Sequence, residues 1–333
     1  MDSSPRVGWY TSAMAGVLSR RRCGALLGAV ALVAAAASAA VDTVAPDDAV
    51  APVEEVVVTA PEPRYVAPTT RDSIGRIWAP VLIDGRGPFR LVLDTGATRS
   101  ALVPRVVEQL GLTMKQDGAR VRGVTGSKVV PTVKVRSLEF GELRVDDVTL
   151  PVVADVFGGA DGVLGGDGLR DKRIVIEFRK DRINIARSRK QQAPAGYSVI
   201  PLDYVRAHGL RAQVMVGPVP TLAIIDTGGQ ATVGNLALRR ALARRRGEQD
   251  PFDDAIIGVT EDVQPAMRVR IPSIVAGDLI VRRAEIRFAD LHIFEHWKLT
   301  STPALMIGMD VLGRVDTLIL DYRREEMQVK TRP

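Results

Sequence analysis

Residues 91–104 read LVLDTGATRSALVP, and residues 222–234 read LAIIDTGGQATVG. Each stretch sets an Asp-Thr-Gly triplet, Asp94-Thr95-Gly96 or Asp226-Thr227-Gly228, directly after an apolar run. The two triplets stand 132 positions apart, about the length of one compact lobe. An acid at the end of an apolar strand is an expensive choice, because burial penalises its charged form. Making that choice twice, with the same Thr-Gly behind it, predicts two half-sites that face one another.

Outward from the triplets, the chain repeats loosely. Val81-Leu82-Ile83 and residues 89–93 flank a Gly-containing turn and lead into Asp94; Val214-Met215-Val216 and residues 222–225 do the same for Asp226. Both read as β-hairpins. Downstream, Gly123-Val124-Thr125-Gly126 is matched by Gly258-Val259-Thr260-Glu261, each a turn between strands. Alternating strands follow over 129–153 and 266–288. Each copy then reaches an apolar pair before Gly, Val163-Leu164-Gly165 and Met306-Ile307-Gly308, with Asp167 and Asp310 just beyond. We read both later acids as caps of short helices. Strand pairs over 174–185 and 317–329 close the copies. Short strands, frequent turns and little helix indicate an all-β fold.

This ordered set resembles the retropepsin-like aspartic proteases, and the resemblance spans roughly residues 74–329. It implies two β-barrel lobes of the acid-protease type, related by a pseudo-twofold axis. Two lobes in one chain would form an internal pseudo-dimer like the pepsin-like members, so the chain is expected to act as a monomer. The lobes fall at 74–190 and 191–333, joined by the polar stretch 187–196.

The resemblance implies a catalytic pair, Asp94 and Asp226, that shares one proton. In aspartic proteases two carboxylates about 3 Å apart cannot both ionise cheaply. One takes a proton from a bound water while the other polarises the scissile carbonyl. Thr95 and Thr227 would brace the two loops against each other. Gly96 and Gly228 admit backbone amides close to the carboxylates. Gly123, Val124, Gly258 and Val259 would form flaps over a substrate cleft, without the tyrosine of pepsin-like flaps. Ala97 and Gly229 stand where the family usually has a hydroxyl donor to the carboxylate, so the pH optimum should be less acidic than that of stomach-type enzymes. The expected partner is a peptide or protein substrate, with no cofactor and no metal. The alternative is a catalytically inactive protein of the same fold that binds peptides or assists the cell envelope; Gly229-Gln230 is the feature that keeps it open.

Composition fits this reading. The chain has 333 residues, 46% of them hydrophobic, enough for about two domains. The net charge of +6 is spread along the sequence, with no aromatic residues interleaved as nucleic-acid platforms require, so no nucleic-acid partner is expected. The single cysteine, Cys23, excludes a disulfide framework and a thiolate metal site.

Residues 1–40 carry a basic start at Arg20-Arg21-Arg22, an Ala-rich apolar run and small residues near Ala40. This is the layout of a cleaved signal peptide, with Met14 a plausible true start, and it places the protein in the periplasm or outside the cell. Residues 41–73 are rich in Pro, Ala and Val and read as a flexible tether. Within it, residues 54–60 (EEVVVTA) resemble the segment near the mature N-terminus of TonB-dependent outer-membrane transporters, a candidate for strand addition to a partner's sheet.

Three further signals are weaker. His292-Ile-Phe-Glu-His296 has the spelling of an inverted zincin, but no third ligand accompanies it. The glycine run 158–168 lacks the Lys-Ser/Thr of a phosphate loop. The basic run 239–246 reads as the solvated end of a helix.

Overall fold

The computed structural model describes residues 64–68, 77–140, 143–205, 209–246 and 252–332. Residues 1–40, read above as a signal peptide, and residues 54–60 lie outside them. The described chain is all-β, with 21 strands and five short helices.

The first sheet has seven strands and comes from the first half. Its hairpin Trp78–Ile83 and Arg86–Leu93 delivers the chain to Asp94. Alternation decides the pairing: Val81, Ile83, Phe89, Leu91 and Leu93 are all buried, so a slip of one residue would turn them to solvent. Strand Gly162–Leu164 lies parallel to the end of this hairpin, Leu93 opposite Leu164. The second half builds an eight-stranded sheet the same way. Gly209–Val216 and Val219–Ile225 form the hairpin, and Ala304–Ile307 runs parallel to it with Ile225 opposite Ile307.

A six-stranded sheet joins the halves. Lys172–Glu177 of the first half pairs on one side with Arg182–Arg187 and on the other with Thr317–Asp321 of the second half, Ile174 against Leu320. The linear division at 190 and 191 therefore interleaves here, because each half alone would leave an unpaired strand edge. A second departure concerns the tether. Arg64–Pro68, inside the segment read as flexible, is a strand antiparallel to Arg182–Arg187, with Tyr65 opposite Ile185. That edge would otherwise be open, and the β-prone Tyr65 and Val66 suit it.

Helices are few and locally specified. Pro104–Leu110 starts with proline and stops at Gly111, whose φ of 66° supplies a left-handed cap. Leu236–Arg246 begins at Asn235, whose Oδ1 accepts the Leu238 amide at 2.8 Å. Among the described residues no helix is long and apolar enough to cross a membrane.

Candidate active site

Both aspartates leave their hairpins at the same point. The Asp94 amide donates to Leu164 O and the Asp226 amide to Ile307 O, each at 3.0 Å. The parallel strand beside each hairpin therefore fixes where the following loop starts. Each loop then folds onto its own carboxylate. Gly96 and Ala97 donate to Asp94 Oδ1 at 2.8 and 2.9 Å; Gly228 and Gly229 donate to Asp226 Oδ1 at 3.0 and 2.9 Å.

The loops interlock through their threonines. The Thr95 amide donates to Thr227 Oγ1 and the Thr227 amide to Thr95 Oγ1, both at 3.1 Å. Each hydroxyl also donates across to the other half, Thr95 to Ile225 O at 2.7 Å and Thr227 to Leu93 O at 2.8 Å. Both side chains are buried, so every one of these bonds replaces water that cannot enter.

This lock brings Asp94 and Asp226 together, with their carboxyl groups in hydrogen-bonding contact. The approach requires glycine behind each acid. A methyl at Gly96 would stand 2.9 Å from Asp226 Oδ1, and one at Gly228 would land on the Asp94 carboxyl. Burial raises the Asp226 pKa and the adjacent Asp94 charge raises it further, while the Gly228 and Gly229 amides pull the other way and lose. Asp226 is only 7% exposed, so its charged form has little water to lean on.

Behind the acids sits a layer that sequence reasoning missed. Ser100 Oγ donates to Asp167 Oδ1 at 2.7 Å and accepts the Gly165 amide at 3.1 Å. In the second half, Thr232 Oγ1 donates to Asp310 Oδ1 at 2.7 Å and accepts the Gly308 amide at 3.2 Å. Asp167 and Asp310 are thus not helix caps; Gly165 and Gly308 hold the N-cap positions, without a side-chain bond. The two acids tie the site loops to the strands that carry them. The signal was in the sequence, as a hydroxyl six residues after each aspartate.

Two hairpins present the predicted flap residues. Lys115–Arg122 and Ser127–Phe140 carry Gly123 and Val124 at their turn; Phe252–Ile257 and Val263–Ala276 carry Gly258 and Val259. The turns touch. Thr125 and Thr260 share a hydroxyl–hydroxyl bond of 3.2 Å, both side chains buried. Val124 packs against the cluster containing Ile293 and Phe294, and its carbonyl accepts the Ile293 amide at 3.3 Å. His292 and His296 lie on the five-residue helix beneath this contact. Among the described residues no group of three or more candidate ligands could hold a metal ion.

One family model matches the first half. It is described as aspartyl protease and matches residues 79–167, which include Asp94, the first flap and Asp167. A retropepsin-like aspartic protease from Rickettsia conorii, known by crystal structure, is 15% identical; the match covers 39% of this chain and 97% of that one, with a TM-score of 0.28. No curated protein matches the chain. Over residues 79–167 the chain is similar to the aspartyl proteases, in an all-β fold that carries the Asp-Thr-Gly loop twice.

Proposed function

We propose that this protein is an exported aspartic endopeptidase in which Asp94 and Asp226 activate water against a peptide bond. The observation that carries the reading is the contact of these two carboxyl groups, enforced by the Thr95–Thr227 lock. A pair that cannot ionise twice keeps one proton, and the more buried Asp226 is the better place for it. Ionised Asp94 then takes a proton from water as its oxygen attacks the carbonyl carbon, and Asp226 gives its proton to the carbonyl oxygen. The resulting diol collapses when the amide nitrogen accepts the proton held on Asp94 and leaves as the amine. Asp226 recovers its proton from the diol, so the pair returns to its starting state. The paired hairpin tips at Gly123 and Gly258 suit the task of closing over a bound peptide and keeping other water out.

Residues 41–333 should cleave an unstructured protein such as reduced, alkylated casein, and pepstatin should suppress the cleavage. Asp94→Ala and Asp226→Ala should each abolish it. Binding of the same chains without cleavage, by folded wild-type protein between pH 3 and pH 8, would overturn the peptidase reading in favour of a peptide-binding protein.

A further inference from the structure

We infer that the second half carries an anion-binding pocket on the loop that follows the Asp226 triplet, built for a carboxylate or phosphate group. A pocket of about 690 Å³ is bordered by Gln230 and Ala231 of that loop, and four arginines line it: Arg270, Arg283, Arg287 and Arg314. Glu285 and Asp310 are the acids in the wall. They do not neutralise it.

Glu285 is engaged by Arg270 at 3.1 Å and by Arg268 at 3.5 Å. Asp310 accepts the Thr232 hydroxyl. Arg287 is tied to Asp254 at 2.8 Å. Arg314 donates to the carbonyls of Asp310 and Arg282 and makes no direct bond to a carboxylate, though its charge acts on the nearby Asp310 carboxyl. Arg283 has no hydrogen-bond or ion-pair partner among the described residues. Four arginines against two acids leave the concavity net positive, and the unpaired Arg283 guanidinium offers an anion several N–H donors at once.

The first half supplies an internal control. Arg283 has φ of 52° at a place where the pairing of its strand skips, between the pairs Ser273–Arg282 and Ile271–Ala284. Asp147 sits at the matching skip of the first-half sheet, between Ser137–Asp146 and Val135–Val148, with φ of 53°. There the position is acidic and Lys134 pairs with it at 3.4 Å. The backbone device is the same in both halves, and only the second half puts an unpaired cation on it. A scaffold has no need of that exchange; a ligand does.

The anion can come from solution or from an acidic side chain of a bound peptide, and one set of variants separates the sources. Calorimetric titration of residues 41–333 with citrate and with inorganic phosphate should give saturable, salt-sensitive binding. Arg283→Asn, which suits a positive φ, should weaken it about tenfold, the worth of one charge-assisted bond. Arg282→Gln, which removes the neighbouring charge outside the pocket wall, should change it less than twofold. In parallel, cleavage of peptides containing Asp or Glu is compared with that of their Asn or Gln counterparts. A loss of kcat/KM confined to acidic peptides in Arg283→Asn identifies the substrate as the source; weakened citrate or phosphate binding with unchanged cleavage identifies a free anion. No saturable binding together with no change in peptide preference, or equal effects of the two arginine variants, would overturn the pocket. The titration does not need peptidase activity, so its result stands apart from the proposed function.

Discussion

Arg173 places Nη1 2.9 Å from Asp321 Oδ2, and the Asp321 side chain is completely buried. The arginine belongs to the first half and the aspartate to the second, on adjacent strands of the joining sheet. Around them Gln328 Oε1 accepts from Arg173 at 2.9 Å, and Ser188 Oγ donates to Asp321 Oδ1 at 2.6 Å. A charge so placed is tolerable only while its partner remains. Arg173→Met should therefore lower unfolding stability by about 3–5 kcal/mol, read from the urea midpoint. Arg173→Met combined with Asp321→Leu should recover most of that loss, since the stranded charge is then gone.

The Thr95–Thr227 lock makes a graded test of the joint between the site loops. Thr227→Val keeps the shape but removes the hydroxyl, leaving the buried Thr95 amide and Leu93 carbonyl without partners. A loss of about 2–4 kcal/mol is expected in chemical denaturation. Thr227→Ser restores the hydroxyl and should cost less than about 1 kcal/mol, the scale of one buried methyl. Peptide cleavage should follow the same order, near wild type for Ser and strongly reduced for Val.

The hairpin tips separate binding from folding. A methyl at Gly258 would stand 2.5 Å from Thr125 Oγ1 of the facing turn, so Gly258→Ala must push the turns apart. Peptide KM should rise about tenfold, the equivalent of ~1.4 kcal/mol, while the thermal midpoint moves less than the tenfold loss of binding would suggest, because the change falls on the contact between the two turns. The lever is local.

Much of the fold could be read from the doubled Asp-Thr-Gly stretch. Apolar alternation gives away both hairpins and the apolar-apolar-Gly strands, because each buries one face against a core. The joining sheet was not legible. Its pairing of Ile174 with Leu320 depends on contacts between segments far apart in the chain, on which local pattern is silent. Arg64–Pro68 was missed for the same reason: a Pro-rich composition argues for a tether, and the open strand edge that captures it is a tertiary fact. The Asp167 and Asp310 anchors look like caps in sequence because Asp near a helix start usually is one. The hydroxyl six residues after each catalytic-loop aspartate, Ser100 and Thr232, was the overlooked sign that these carboxylates are claimed from elsewhere.

The burial of Asp226 has a pH signature. Its folded pKa lies above its unfolded one. Below the unfolded value both states are protonated and the group costs nothing. Above it the unfolded chain gives up a proton that the folded chain keeps, so stability falls as pH rises, until the raised folded value is passed. Asp226→Asn, which retains the acceptor for the Gly228 and Gly229 amides, should match wild type near pH 3. It should exceed wild type by ~1–3 kcal/mol at pH 7, read as a higher midpoint in thermal scans at each pH.

A shared proton between Asp94 and Asp226 is most directly tested by carbon-13 NMR of aspartate-labelled residues 41–333, titrated from pH 2 to pH 9 with Asp94→Asn and Asp226→Asn for assignment. One carboxyl of the pair is expected to stay protonated well above the ordinary carboxylate range, and to return toward that range when its neighbour becomes asparagine. Two carboxyls that titrate independently near pH 4, each indifferent to removal of the other, would contradict it.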